Sequence, residues 1–599
     1  MPNDGAHDGG QTRWMRHLVD GLVRGGVTDV VLSPGSRSTP ILLALLRTSL
    51  PIHDVIDERA ASFYALGLAR EGRLPALVCT SGSAPGHYLP AVMEASAARI
   101  PLVVVSANRP PELHDTGASQ TIDQSRLFGV HVRTFVDLGA PHDSERAMRA
   151  AQRRTQRAVL RATSPEPGPV HVDVGARKPL EEHDDTRTIA SAPTIFAPRT
   201  TVNDDAVDAI AKRMGDAERV LVVAGPGALA QRAWREPVAR LLHASNATLA
   251  ADAGSQLRFT GLGLSLDGAE AFARTSAGRA LLSTDLVVQL GDFPIGPGLA
   301  RLVEGRPRIV LAEGGHPDPE GDAELLAFGD VGATLERLAD RATPKRSIAV
   351  SSAALALARA HALEGSLSQP SAIHAAFGAL ASHASSHAGS SHAGSSHAGS
   401  SHADSSRGGS RAGSHDSFLG ARVVLGNSLP IRAIDLYVDV DVDLGVVVQR
   451  GVSGIDGNLA GSVGIACASG RPTLAIVGDV TFLHDLGSLL LARELEVPLV
   501  VLVLNDDGGR IFEQLPVHRT LESTKFERHF AMSHGMRFDR AAALYGLAYE
   551  RATSTSEVRA AVSRGLQHAG TTIVEVPLPP ESARETNARF FAALERSLA

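Results

Sequence analysis

Short apolar runs alternate with amphipathic stretches along most of the chain. Residues 27–32, 52–56, 75–79 and 101–106 are strand-length and apolar, and 40–47, 59–70 and 88–97 between them carry helical spacing. Parallel neighbours need a crossover long enough for a helix, so this rhythm predicts a doubly wound parallel sheet. The pattern returns twice, giving blocks at 12–190, 200–350 and 366–599 with linker-like stretches at 193–204 and 342–347. The expected fold class is therefore α/β, with three doubly wound parallel-sheet domains.

One segment departs from the rhythm. Residues 382–417 are rich in Ser, His, Ala and Gly, with His387, His392, His397 and His402 spaced by five. That spacing matches neither helix nor strand, and there is little apolar surface to bury. A disordered insertion between a helix at 370–381 and a strand at 421–425 is expected, in preference to a metal-capturing histidine tract.

Right-handed crossovers place the carboxyl ends of all parallel strands on one edge of a sheet, where open α/β folds bind ligands. Ser36-Arg37, Asp57-Glu58, Ser81-Gly82-Ser83 and Asn108-Arg109 all fall just past predicted strand ends. In the middle block Gly225-Pro226-Gly227 follows a strand. It is too short for a full dinucleotide fingerprint, although it keeps a nucleotide-binding protein in view.

Composition narrows the classes. The 599 residues hold 58 Lys+Arg against 65 Asp+Glu, a net charge of −7, with no basic block and only five Tyr and two Trp. Nothing there tracks a phosphodiester backbone or stacks bases, so no nucleic-acid partner is expected. Cys79 and Cys467 are too far apart to make a disulfide framework or a CxxC knuckle, which suits a reducing compartment. Residues 1–11 lack the order of a secretory signal. The apolar runs fall well short of the ~20 residues that span a bilayer. A cytoplasmic protein without a membrane span is expected.

The densest chemistry lies at 472–509. A buried strand ends at Gly478-Asp479, eighteen residues (480–497) form a crossover, and a second buried strand ends at Asn505-Asp506-Asp507-Gly508. This βαβ unit sets Asp479 beside Asp506. Two carboxylates and a glycine-turn carbonyl make an oxygen-only site suited to Mg²⁺, with Mn²⁺ as the second choice. Just upstream, 451–461 (GVSGIDGNLAG) opens a small-residue helix whose N-terminus would attract a diphosphate.

These motifs resemble the thiamin-diphosphate signature, GD followed by N-[ND]-x-G. The chain reads Gly-Asp-Val and carries Asp506 where Asn is commoner. More narrowly, SPGSRSTP (33–40), DERAASFYALG (57–67), SANRPPELHDTGASQTIDQ (106–124), GNSLPIR (426–432), RGVSGIDG (450–457) and NDDGGRIFEQLP (505–516) resemble the SEPHCHC synthases of menaquinone biosynthesis. That family decarboxylates 2-oxoglutarate on thiamin diphosphate and adds the four-carbon unit to isochorismate.

The resemblance implies a pyrimidine-binding first domain, a central domain and a diphosphate-binding third domain, in a homodimer or homotetramer. It implies Glu58 as the catalytic acid facing the pyrimidine. Ser81, Gly82, Gly454, Ile455, Asp456, Gly478, Asp479, Asp506, Gly508 and Ile511 would hold the cofactor, with Asp479, Asp506 and the Gly508 carbonyl on the metal. Ser36, Arg37, Arg109, Gln120, Ser428, Arg432, Arg450 and Phe512 would meet the two dicarboxylate substrates. Arginine suits carboxylates because its planar fork pairs with both oxygens. Where the family has a basic pair in the central block, this chain has Pro297-Gly298. The competing activity is another thiamin-dependent carboligase or decarboxylase. No adjacent His-His, common in such decarboxylases, occurs in the sequence.

Overall fold

The computed structural model describes residues 10–181, 188–189, 192–391 and 420–599, with 385–391 as backbone alone. Among the described residues, seventeen strands form three sheets. The first holds β1 (Asp29–Leu32), β2 (Ile52–Asp54), β3 (Pro75–Cys79), β4 (Leu102–Asn108), β5 (Phe135–Asp137) and β6 (Pro169–Gly175) in the order β2-β1-β3-β4-β6-β5. The second holds β7 (Val220–Ala224), β8 (Thr248–Ala251), β9 (Leu286–Leu290), β10 (Arg308–Ala312) and β11 (Leu325–Phe328) in the order β11-β10-β9-β7-β8. The third holds β12 (Arg422–Leu425), β13 (Gly445–Val448), β14 (Thr473–Gly478), β15 (Leu499–Asn505), β16 (Ala548–Arg551) and β17 (Thr571–Pro577) in the order β13-β12-β14-β15-β17-β16.

Each pairing in these sheets is parallel. The first and third sheets share one strand order, a symmetry that sequence rhythm alone did not reveal. Their central strands are runs of Val, Leu, Ile and Ala buried on both faces, as helix-covered parallel sheets require.

The first and third domains touch through two helices rich in small residues. Glu58–Arg70 crosses Asn458–Ser469 so closely that a Cβ on Gly67 would lie 2.3 Å from the Gly461 carbonyl, and one on Gly464 would lie 2.2 Å from the Tyr64 carbonyl. Arg422 adds a two-pronged ion pair to Glu71 at 2.7 and 2.9 Å.

Two expected elements differ. The helix expected at 370–381 runs as Gln369–Ser391, into the stretch expected to be disordered. Ile373, Phe377 and Leu380 bury its first turns, and once nucleated a helix gains one hydrogen bond for each further residue it fixes. His392, His397 and His402 lie outside the described residues. The 480–497 crossover is a helix Asp479–His484, a turn at Asp485 and a second short helix Leu489–Ala492, because Asp485 is drawn aside to another task, described below. Among the described residues, no helix is long and apolar enough to cross a membrane.

Candidate active site

In both outer sheets the strand order reverses beside the first strand, between β1 and β3 and between β12 and β14. Such switch points open a crevice at the carboxyl edge. Ser36, Arg37, Ser81 and Gly82 follow β1 and β3, Ser428 and Arg432 follow β12, Gly478 ends β14 and Asp479 follows it.

At the first switch point, residues far apart in sequence meet. Ser81 Oγ donates to the Gln120 carbonyl at 3.1 Å, and Gln120 Nε2 donates to the Ser81 carbonyl at 2.9 Å. Gly82 has φ +87°, and a Cβ there would lie 2.7 Å from Gln120 Cγ. Arg37 is buried and donates to the Ala176 carbonyl at 2.6 Å, and Arg109 reaches the Ser119 carbonyl at 3.0 Å. The Nε of each is buried without a partner. Burial first, then the like charge of Arg109, holds Arg37 below its ordinary pKa. Two neighbouring guanidiniums with spare donors favour an anion between them. Ser36 is exposed at the rim. Glu58 is half-buried in the first turn of its helix, behind Asp57, which caps that helix by accepting from Arg59 and Ala60 amides at 2.8 and 3.3 Å.

At the second switch point Asp479 Oδ1 accepts from the Val480 amide at 2.6 Å, and Oδ2 from the Gly508 amide at 2.8 Å and His534 Nε2 at 3.1 Å. Asp506 is 4 % exposed, and its Oδ2 is buried with no partner. Burial raises the pKa of both carboxyls, and for Asp506 the adjacent Asp479 charge adds to it. An orphaned carboxylate oxygen beside a second buried carboxylate fits a divalent cation, which would offset both penalties. Gly508 has φ +119°, and a Cβ there would lie 2.2 Å from the Ala531 carbonyl. Ile511 is half-buried beside this turn, whereas Phe512 is 37 % exposed and edges onto Phe530. Within one chain Phe512 therefore lies at the margin.

The loop before helix Asn458–Ser469 corrects one expectation. Its first amides do not wait for a diphosphate: Asp485, fully buried, accepts from Leu459 and Ala460 at 2.8 and 3.2 Å. The carbonyls of Gly454, Ile455 and Asp456 are tied inward by Asn427, Gln449 and Asn458 side chains at 2.8 to 3.2 Å. The loop is braced by its own side chains, and a buried carboxylate already occupies its helix terminus.

Arg432 Nη1 donates to the Ser428 carbonyl at 2.7 Å, with Ser428 itself at φ +76°. Arg450 Nη1 donates to Asn427 Oδ1 at 3.1 Å. Burial, then the charge of Arg432, lowers the Arg450 pKa, so this edge also carries a close arginine pair.

Two family models match the chain: the thiamine pyrophosphate enzyme N-terminal TPP binding domain over residues 12–127, and the C-terminal TPP binding domain over 436–576. A 2-succinyl-5-enolpyruvyl-6-hydroxy-3-cyclohexene-1-carboxylate (SEPHCHC) synthase of Sorangium cellulosum is 37% identical, over 98% of this chain and 96% of its own. The synthase of that name from Geobacillus kaustophilus is 34% identical, over 97% of each. The chain belongs to the SEPHCHC synthase family.

Among solved structures, benzoylformate decarboxylase from Polynucleobacter necessarius superposes with a TM-score of 0.69 at 15% identity, over 95% of this chain and 99% of its own. That likeness extends to the fold. The chain is thus a SEPHCHC synthase relative built on a fold shared with that decarboxylase.

Several residues of this SEPHCHC synthase relative escaped sequence reasoning. Glu94, fully buried, accepts from the Gly451 and Val452 amides at 2.9 and 2.7 Å and from Arg70 at 2.8 Å. It ties the turn at Gly451 and Val452 to the first domain. His534 and Asp485 are likewise tertiary partners that no motif marks. Pro297 and Gly298, where a basic pair was expected, open helix Pro297–Val303. Buried Glu270 accepts from the Gly298 and Leu299 amides there at 3.0 and 2.8 Å. A Cβ on Gly225 would lie 2.0 Å from the Asp292 carbonyl. Packing accounts for that glycine, and the nucleotide reading loses its support.

Proposed function

We propose that this chain condenses 2-oxoglutarate with isochorismate, releasing CO₂ and forming SEPHCHC for menaquinone synthesis in the cytoplasm. The observation that carries the reading is the buried, unpartnered Asp506 oxygen beside Asp479 at a topological switch point. Thiamin diphosphate, when bound, supplies the electron sink for the carbon that loses CO₂.

Asp479, Asp506 and the Gly508 carbonyl would hold Mg²⁺ or Mn²⁺ with the diphosphate, beside Gly478. Gly454, Ile455 and Asp456 would wall the cofactor on one side and Ile511 on the other. On the first domain, Ser81 and Gly82 would receive the pyrimidine, and the Glu58 carboxyl would share a proton with a pyrimidine nitrogen. Each arginine pair suits a substrate carrying two carboxylates: Arg37 with Arg109, assisted by Ser36 and Gln120, and Arg432 with Arg450, assisted by Ser428. Phe512 would close over the substrate from the margin.

Apolar residues stand exposed around both half-sites. Ile56 is 74 % exposed two positions before Glu58, and Val452, Met532 and Met536 are 49 %, 67 % and 48 % exposed near the third-domain loops. A second copy covering them would join the first domain of one chain to the third of its partner, as a homodimer or a dimer of dimers. Light scattering on the purified chain reads this directly.

The activity test follows CO₂ and product mass. Release from 2-oxoglutarate that depends on isochorismate, with an adduct equal to both substrates less CO₂, supports the reading. Acetolactate made from pyruvate, with no such adduct, replaces it by the competing carboligase activity.

A further inference from the structure

Behind the first half-site lies a buried polar network that no part of the cofactor reading uses. Asp173 sits on β6 in register with Ser106 of β4 and is 4 % exposed. Its Oδ1 accepts from Ser106 Oγ at 2.5 Å and Gln124 Nε2 at 2.8 Å, and its Oδ2 accepts from Asn108 Nδ2 at 2.6 Å.

Burial raises the Asp173 pKa, and the hydrogen bonds from Ser106, Asn108 and Gln124 work against that rise; with donors already on both oxygens, the carboxylate only accepts. It therefore fixes the orientation of both amides, whose nitrogens must face it and whose oxygens must face away. Those oxygens reach the rim: Gln124 Oε1 accepts from the Gly82 amide at 3.2 Å, and Asn108 Oδ1 accepts from the Arg109 amide at 2.7 Å. One buried carboxylate thus holds, through two side chains, the backbones at the ends of β3 and β4.

The third arm closes the network. Ser106 Oγ gives its only proton to Asp173, so its oxygen accepts from His171 Nε2 at 2.6 Å. Burial pushes the His171 pKa down to about 3, so the neutral ring carries its single proton on Nε2. Ser, His and Asp here resemble a nucleophile triad only in composition. Ser106 is fully buried, and its proton is committed to the carboxylate instead of the imidazole.

We propose that Asp173 is a positioning residue that sets the spacing of the Gly82 and Arg109 backbones, and through it the affinity of the first half-site for a substrate carboxylate. This rests on the reading of Arg37, Arg109 and Gln120 as substrate contacts. The amide orientation gives it a signature. In Asp173→Asn the new amide nitrogen faces that of Asn108, which must turn over and abandon the Arg109 amide. Adding Asn108→Asp moves the carboxylate across the same bond. The carboxamide introduced on β6 then donates to the carboxylate introduced on β4, whose second oxygen again accepts from the Arg109 amide.

The test uses the full chain with thiamin diphosphate and Mg²⁺. D173N is expected to raise the KM of one of the two dicarboxylate substrates about tenfold or more, with kcat changed far less, and D173N/N108D to restore most of it. Amide hydrogen exchange reads the same claim without turnover. In D173N the Arg109 amide should exchange about tenfold faster while β6 stays protected, and the double variant should recover. Q124A, which deletes the other arm alone, should do this at Gly82. If the wild type turns over neither substrate, the functional reading fails and exchange still decides the positioning role. Unchanged exchange at Arg109 in D173N, or loss of kcat, KM and melting temperature together without rescue by the double variant, overturns the proposal.

Discussion

The amide of Gly508 donates to Oδ2 of Asp479 at 2.8 Å, joining two strand ends 29 positions apart in sequence. The turn that presents the Gly508 carbonyl and the first carboxylate of the candidate metal site are thereby fixed to each other.

Gly508→Ala breaks that geometry for two reasons, a φ of +119° and a Cβ 2.2 Å from the Ala531 carbonyl. The variant should lose about 1–3 kcal/mol in denaturant unfolding. Its thiamin diphosphate affinity at fixed Mg²⁺ should fall about tenfold or more. Gly470→Ala is the control: φ is +62°, but nothing lies within 4 Å of its Cβ, so backbone strain appears there without loss of affinity.

Glu58→Gln keeps the shape of the helix start, since Asp57 supplies the cap. It should bind thiamin diphosphate normally and lose turnover by about 100- to 10,000-fold, the range for a missing proton-transfer group. Steady-state kinetics beside calorimetry separates the two, and near-wild-type turnover removes Glu58 from the role.

Stability should depend on pH through His171. Burial pushes its folded pKa down to about 3, against 6.5 when free. Below pH 6.5 the unfolded chain binds a proton that the native chain refuses, so stability falls as pH drops from 6.5 toward 3. At pH 5 the loss is about 2 kcal/mol by linkage. Urea midpoints for the wild type and His171→Gln, compared at pH 7 and pH 5, should show the wild type losing more. Equal losses would mean the ring is protonated or exposed.

Much of the architecture was legible because it rests on local signals. Residues 75–79 fall on β3 to the residue, being an apolar run opened by Pro75 and followed by the polar Thr80-Ser81. Placing polar residues at strand ends also brought Ser81 and Gly82 to the edge where Gln120, distant in sequence, meets them. What was not legible depends on partners distant in sequence. The start of helix Asn458–Ser469 reads as an anion site until Asp485, more than twenty positions on, is seen to occupy it. Helix Gln369–Ser391 outran its apolar pattern because buried residues in its first turns carry the rest. Phe512 and the Pro297-Gly298 departure depend on what surrounds them, and neither composition nor period encodes that.

The cofactor site is tested most directly by calorimetric titration of thiamin diphosphate into the full chain, with and without Mg²⁺, for the wild type and Asp506→Ala. The account predicts saturable binding that requires the metal in the wild type and is weakened about 100-fold or more in the variant. Binding indifferent to Mg²⁺, or equal in the two proteins, contradicts it.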